Sequence, residues 1–428
     1  MKKILRKIST LILVLTLALA CASCSFIVKP PQGTIDNLPS SIPLSTQTVV
    51  NHLPSNERAL LSKVNAVEKT EKTVVAIASS QGQGSGVIVD LSLEGDSENV
   101  FYVLTCHHVI SGGGEMFVFA VDDKGLNFTD QGYNEDYVFS GVIGEKIIDK
   151  NAELSLVGGD QVSDIALLRL NAPSFVAENL EKAKIIDTSV NSVKKGEDVF
   201  CIGNPTGELP GTVTFGVISY INRQERFAEA GFMTLIQTDA SIYPGSSGGG
   251  MFNMYGELVG ITNGGNVENV VINFAIPAKA SSDETTDRGF LNIVKQLLST
   301  YKNSNGFNYG YVSGRWSLGI QVTEKERVNK TKYLEIAEVI EGGNGFKSGV
   351  LKGDVIKSVT YQHGQEKTTE LATELKVFSN SVSMLRSILS LNDSFILTVV
   401  RGEEEIDVTI NLLVGGFIFM DTGVYPEN

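Results

Sequence analysis

Hydrophobic and polar positions along the 428 residues fall into distinct regimes. A single short apolar run, residues 8–20, follows Lys2, Lys3, Arg6 and Lys7. At 13 residues it is shorter than the roughly 20 needed to cross a bilayer. A basic start with a short apolar core reads as a secretory signal. From residue 25 to 57 the periodicity disappears. Pro30, Pro31, Pro39, Pro43 and Pro54 lie there among Ser, Thr and Gln, which predicts an extended tether. Short runs of β-formers separated by Gly or Asn then take over. One group covers 73–78, 84–89, 100–105, 116–120 and 137–143. A second covers 165–170, 198–203, 216–221, 233–238, 251–252, 258–262 and 271–276. Many short strands with Gly-rich turns predict barrels or sandwiches, and two groups predict two barrels. Helices are predicted at 58–70 and 288–301, the latter with Leu291, Val294 and Leu298 on one side. Past residue 309 a third unit follows. Its strands are predicted at 318–322, 334–339, 355–359, 395–401 and 406–412, with a helix over 381–390.

Composition sharpens this picture in a few places. Hydrophobic residues are 42% and charged residues 20%, so the chain can bury a sizeable core and wholesale disorder is excluded. A net charge of −14 lacks the basic footprint of a nucleic-acid protein. The four cysteines are too few for a disulfide scaffold. Cys106 and Cys201 fall on strands of different barrels and are expected to be buried free thiols. Cys21 and Cys24 follow the apolar run in CASCS, which resembles the lipobox of bacterial lipoproteins. That resemblance implies lipidation of Cys24 (or Cys21) and a protein anchored to the membrane outside the cytoplasm. No metal-ligand spacing or phosphate loop is visible, so neither a metal nor another cofactor is expected.

Chemistry concentrates in short segments. The first is QTDASIYPGSSGGGM, residues 237–251. A serine nucleophile needs an exposed hydroxyl beside converging backbone N–H groups, and flanking glycines let the chain curl to supply them. Ser247 would attack, with Gly245 and Ser247 N–H groups forming the oxyanion hole. The second, YVLTCHHVI, ends an apolar strand in His107 and His108, and either imidazole could take the nucleophile's proton. The third, VSDIALLRL, puts Asp164 just before an apolar strand, where a buried carboxylate can fix an imidazole tautomer. Base, acid and nucleophile then follow the order His, Asp, Ser, which is the chain order of the chymotrypsin fold.

These segments resemble the signature segments of the HtrA/Deg serine proteases. THHVI-like, SDIALL, IGNPTG, QTDASIYPGSSGGG and NFAIP occur in that family's order across about residues 59–285. The resemblance implies His108 as base, since the family's histidine directly precedes an aliphatic pair, here Val109-Ile110. It also implies that 203–207 and 211–214 flank the active site. Two departures stand out. Ser246 occupies a position usually held by Asn, and Gly250 one usually held by Pro. The stretch between His108 and Asp164 is also longer than usual, with a polar region at 122–137 that reads as a surface insertion.

In chymotrypsin-like proteases the residue six before the nucleophile lies at the base of the primary pocket. Here that residue is Ser241, with Ile242 beside it, so small or medium aliphatic side chains are expected rather than Arg or Lys. The third unit resembles a PDZ domain. Ser317-Leu318-Gly319-Ile320 matches a carboxylate-receiving loop, and SGVLKGDVI a segment common in bacterial PDZ domains. This resemblance implies binding of C-terminal peptides by strand addition.

The fold expected is mainly β, a chymotrypsin-like double β-barrel followed by one PDZ-like α+β domain. Its parts are a signal at 1–24, a tether at 25–57, a protease domain at 58–302, a PDZ-like domain at 309–413 and a tail at 414–428. The function expected is a tethered endopeptidase acting on unfolded or damaged polypeptides. Its alternatives are a regulatory protease for one dedicated partner or an inactive chaperone-like binder. The family is often homotrimeric, and no nucleic-acid partner is expected.

Overall fold

The computed structural model describes residues 48–79, 82–111, 114–121, 135–143, 153–207, 209–227, 230–266, 272–282, 287–303, 310, 312, 315–316, 318–339, 343–363 and 365–413. The signal, Cys21, Cys24, most of the tether, Ser317, the tail and nearly all of the 122–137 region lie outside the described residues. Among the described residues no helix is long and apolar enough to cross a membrane.

Two barrel-like sheets are built from strands between Val74 and Pro277. The first has seven strands in the order Val138–Ile143, Gly114–Phe119, Val74–Ser79, Gly82–Val89, Val100–Thr105, Ile165–Asn171 and Leu154–Asp160. The second also has seven, in the order Lys184–Ile185, Glu257–Asn266, Gly250–Asn253, Asp198–Gly203, Thr212–Phe227, Gly231–Thr238 and Ile272–Pro277. Strand Ile272–Pro277 pairs back onto Glu257–Asn266, which closes six of these strands into a ring. Several strands read as continuous apolar runs because both faces are covered. All six residues of Val100–Thr105 are buried. Val103, Leu104 and Leu167 of one sheet share a core with Phe200, Phe252 and Ile261 of the other. Helix Phe290–Asn303 seals that core with Phe290, Ile293, Val294, Leu297 and Leu298.

The C-terminal unit has its own core around Trp316, Phe378, Leu385 and Leu397. Its sheet runs Ile320–Glu326, Lys332–Val339, Val355–His363, Ser394–Arg401, Glu404–Asn411, with Glu366–Leu371 attached to Val355–His363. Strand Ile320–Glu326 lies at one edge. The helix expected over 381–390 is Leu375–Ile388 instead. Phe378 carries the apolar stripe one turn upstream, in line with Val382 and Leu385, and all three are buried. Extended backbone at Leu389 ends it. The helix expected over 58–70 begins only at Lys63, because the Ser62 hydroxyl caps it, accepting from the Asn65 N–H at 3.2 Å. Strand Leu154–Asp160 was not anticipated, since its two glycines break the β-former run.

The two units meet beside the turn that precedes Asp164. Asp160 is 1% exposed and accepts two bonds from the Arg315 guanidinium, at 2.9 and 2.8 Å. Gln161 bonds Arg386 and Ser383 of helix Leu375–Ile388. Ser387 of the same helix receives the Phe232 N–H at 3.0 Å, and its carbonyl accepts from Arg288 at 2.6 Å.

Candidate active site

The buried strand Val100–Thr105 delivers the chain to Cys106, whose extended backbone opens the one-turn helix His107–Ile110. His107 is therefore turned inward and buried, while the His108 side chain remains 32% exposed. Burial holds the His107 imidazole below the usual histidine range. It is His108 whose Nδ1 meets Asp164, at 2.7 Å from Oδ2.

Asp164 closes the tight turn between Leu154–Asp160 and Ile165–Asn171, with φ of +50°. Asp and Asn tolerate that left-handed conformation better than most residues. The turn presents both carboxylate oxygens to the neighbouring helix. Oδ1 accepts the His108 backbone N–H at 2.9 Å, and the Asp164 carbonyl accepts the His107 N–H at 3.1 Å. Asn263 adds a third partner, donating Nδ2 to Oδ2 at 2.5 Å. Asp164 is thus buried yet bonded on both oxygens, so neither is left without a donor.

Ser247 lies on the turn between Gly231–Thr238 and Gly250–Asn253 of the second sheet. The turn is bent by left-handed glycines, Gly245 at φ +94° and Gly248 at φ +88°. A Cβ at Gly248 would lie 2.1 Å from the Ser85 carbonyl, so only glycine lets the two sheets approach this closely. Ser85 stitches the turn to the first sheet. Its N–H donates to the Ser247 carbonyl at 2.8 Å, and its hydroxyl to the Gly245 carbonyl at 2.9 Å. The same hydroxyl accepts the Asn204 N–H at 2.8 Å.

This curl orients the expected oxyanion donors. The Pro244 carbonyl accepts the Thr206 N–H at 2.7 Å. In a trans peptide the following N–H points the opposite way, so the Gly245 N–H faces away from Thr206. Among the described residues, neither the Gly245 nor the Ser247 N–H has an acceptor within the protein. The Ser247 hydroxyl donates to the Asn263 backbone carbonyl at 2.9 Å. In this rotamer the Ser247 proton is therefore directed at the Asn263 carbonyl.

The structure therefore brings His108, Asp164, Ser247 and Gly245 to the seam between the sheets. Ser241 is half-buried on the segment leading to Ser247, its carbonyl accepting from Thr214 Oγ1 at 2.8 Å, and Ile242 is buried. Leu318, Gly319 and Ile320 lie in the C-terminal unit, outside this seam. Leu318 and Ile320 are buried, Gly319 has φ of +66°, and the Leu318 carbonyl receives the Gly345 N–H. Sequence reasoning missed Ser85 and Asn263. Ser85 could have been noticed as the lone polar side chain in GSG within a strand. Nothing local marks Asn263. Cys106 and Cys201 are both buried free thiols.

Residues 84–261 match the family model described as a trypsin-like peptidase domain. The chain is 31% identical over 291 residues to a probable periplasmic serine endoprotease, DegP-like, of Hahella chejuensis, covering 65% of this chain and 48% of that protein. It is 33% identical over 268 residues to the periplasmic serine endoprotease DegP of Escherichia coli, covering 58% and 50%. The chain thus spans about half the length of these curated relatives. Among solved structures, the HtrA-type protease AlgW with tripeptide is 22% identical, with a TM-score of 0.43, covering 83% of this chain and 97% of that one.

Proposed function

We propose that this chain, which carries a trypsin-like peptidase domain and is homologous to DegP-type serine endoproteases, is itself an extracytoplasmic serine endopeptidase of HtrA type. The observation that supports it best is the His108–Asp164 pair at 2.7 Å on one sheet, facing the Ser247 turn of the other. In this reading Ser247 swings its proton from the Asn263 carbonyl to His108 Nε2 and attacks the scissile carbonyl. Asp164 holds the Nδ1–H tautomer and stabilises the imidazolium that forms. The N–H groups of Gly245 and Ser247 receive the developing oxyanion. His108 then protonates the leaving amine, and water repeats the cycle on the acyl-enzyme. No cofactor enters these steps.

The finer features belong to the same proposal. Ser241 carries no acid, and Ile242 is buried beside it, which favours small or medium aliphatic P1 residues over basic ones. The strand Ile320–Glu326 is the terminal strand of its sheet and lies beside helix Leu375–Ile388, a position that supports PDZ-like capture of C-termini by strand addition. A lipid at Cys24 or Cys21, followed by the Pro-rich tether, would hold the enzyme at the membrane, and a homotrimer is the assembly proposed. The substrates proposed are unfolded polypeptides.

The test is casein hydrolysis and fluorophosphonate labelling. The parent chain should cleave and label at Ser247, while Ser247→Ala does neither with its fold intact. Unchanged cleavage by Ser247→Ala would refute the reading. Labelling without casein cleavage would favour a dedicated partner, and absence of both would favour a binding protein.

A further inference from the structure

Cys106 stands two residues before His108, at the mouth of the helix that carries it, and its side chain is fully buried behind the site. Its Sγ, a His108 ring nitrogen and an Asp164 carboxylate oxygen all lie within 4.8 Å of one another. Thiolate, imidazole and carboxylate are the donors that zinc takes. A fourth donor adjoins them. Asn263 spends its Nδ2 on Asp164, yet it is 5% exposed and its Oδ1 is buried without a hydrogen-bond partner. A buried amide oxygen with nothing to accept is disfavoured, and an amide flip would turn that oxygen toward the Asp164 carboxylate and any cation beside it.

We propose that Cys106, His108 and Asp164, with the Asn263 amide oxygen, form a binding site for Zn2+ whose occupation switches the proton relay off. The cluster suits a doubly charged ion. A thiolate and a carboxylate carry one negative charge each, so the occupied site is neutral, which offsets much of the cost of burying a cation. On binding, the Cys106 thiol gives up its hydrogen bond to the Thr262 carbonyl and releases its proton to water. The imidazole proton moves at the same time from Nδ1 to Nε2.

The rearrangement is small. Nδ1 and Oδ2 are 2.7 Å apart and would need about 3.4 Å around a tetrahedral zinc with bonds of about 2.1 Å. That opening of about 0.7 Å lies within reach of a swing by the partly exposed His108. With Zn2+ on Nδ1, the proton fixed on Nε2 occupies the position that must receive the Ser247 proton. Binding and catalysis therefore exclude each other. The exclusion rests on His108 acting as the base, whereas the binding does not.

The test is a Co2+ titration of the full chain carrying Ser247→Ala, with Cys21→Ser and Cys24→Ser to remove the two N-terminal thiols. Thiolate coordination to Co2+ gives a near-ultraviolet charge-transfer band, which we expect at one equivalent and which Zn2+ should erase. Cys106→Ser should abolish the band, and Cys201→Ala should preserve it. His108→Ala should weaken Zn2+ binding at least tenfold, a second variant in case loss of Cys106 unfolds the chain. In the parent, Zn2+ should suppress peptide hydrolysis and a chelator restore it. No band, or a band that survives Cys106→Ser, overturns the site. Undiminished hydrolysis at saturating Zn2+ overturns the switch. A chain that shows the band but hydrolyses nothing without Zn2+ supports the site and refutes the protease reading, so the two failures are distinguishable.

Discussion

Asp164→Asn isolates a single proton in the proposed relay. Position 164 has φ of +50°, which Asn adopts nearly as readily as Asp, so the turn should stay folded. The amide oxygen can keep the bond from the His108 backbone N–H, now 2.9 Å from Oδ1. The amide nitrogen then replaces Oδ2 and faces two donors, His108 Nδ1 at 2.7 Å and Asn263 Nδ2 at 2.5 Å. An amide N–H cannot accept from either. The imidazole resolves its half of the clash by moving its proton to Nε2, so that Nδ1 accepts instead. Nε2 then has no lone pair for the Ser247 proton. A wrong tautomer of this kind lowers kcat by about 10⁴-fold. At about 1.36 kcal/mol per decade, that is about 5.4 kcal/mol of transition-state stabilisation. KM should barely change, because no substrate contact is removed. Steady-state hydrolysis of a fluorogenic peptide, with circular dichroism and Tm alongside, measures all of this. A folded variant retaining more than about a tenth of the parental kcat would refute the role assigned to Asp164.

Gly245→Ala would push a Cβ to 2.4 Å from the Asn204 carbonyl at φ +94°, so the oxyanion turn should open and kcat fall about 10²–10³-fold with near-native circular dichroism. Ser241→Asp should create cleavage after Lys and Arg in a peptide-library profile; an unchanged profile would remove Ser241 from the pocket base. Arg315→Ala strands the buried Asp160 carboxylate and should cost about 3–5 kcal/mol in denaturant unfolding. Burial alone would raise the Asp160 pKa, but the Arg315 guanidinium and Ser163 outweigh it and hold the carboxyl below its usual range. A depressed folded pKa means that this stability is fully present above the unfolded value of about 3.9 and is lost as pH falls through the folded one. The parent's Tm should therefore drop on acidification below about pH 4, and that component should vanish in Arg315→Ala.

The parts of the candidate site that are legible in the sequence are those whose proposed chemistry needs a local signature. Ser247 needs glycines on both sides to bend its turn, so GSSGG announces it. His108 needs a strand to end at it, and Asp164 needs to precede one, so apolar runs mark both. Ser85 and Asn263 carry no such mark, because their contacts are set by how two distant sheets meet. Ser85 reaches Gly245 and Ser247 across that seam, and Asn263 reaches Asp164 from a strand 99 positions further along the chain. The helix Leu375–Ile388 starts earlier than expected for the opposite reason: Phe378 belongs to its stripe, but the polar run Ser379, Asn380, Ser381 separates it from Val382 and masks the period.

Asn263 shows why such residues matter to the chemistry. Its side chain donates to the carboxylate that orients His108, and its carbonyl accepts the proton that His108 is proposed to take. One residue therefore touches both ends of the relay without being base, acid or nucleophile. Any event that moves Asn263 changes the charge balance at Asp164 and the rotamer of Ser247 together. The Ser247 hydroxyl donates to the Asn263 carbonyl at 2.9 Å, so in the proposed mechanism turning that O–H from the carbonyl to His108 would separate the resting arrangement from the reacting one. A mutation at Asn263 should for this reason shift the population of reactive Ser247 as well as the tautomer of His108, and its effect should not add to that of Asp164→Asn, because both act on the same proton.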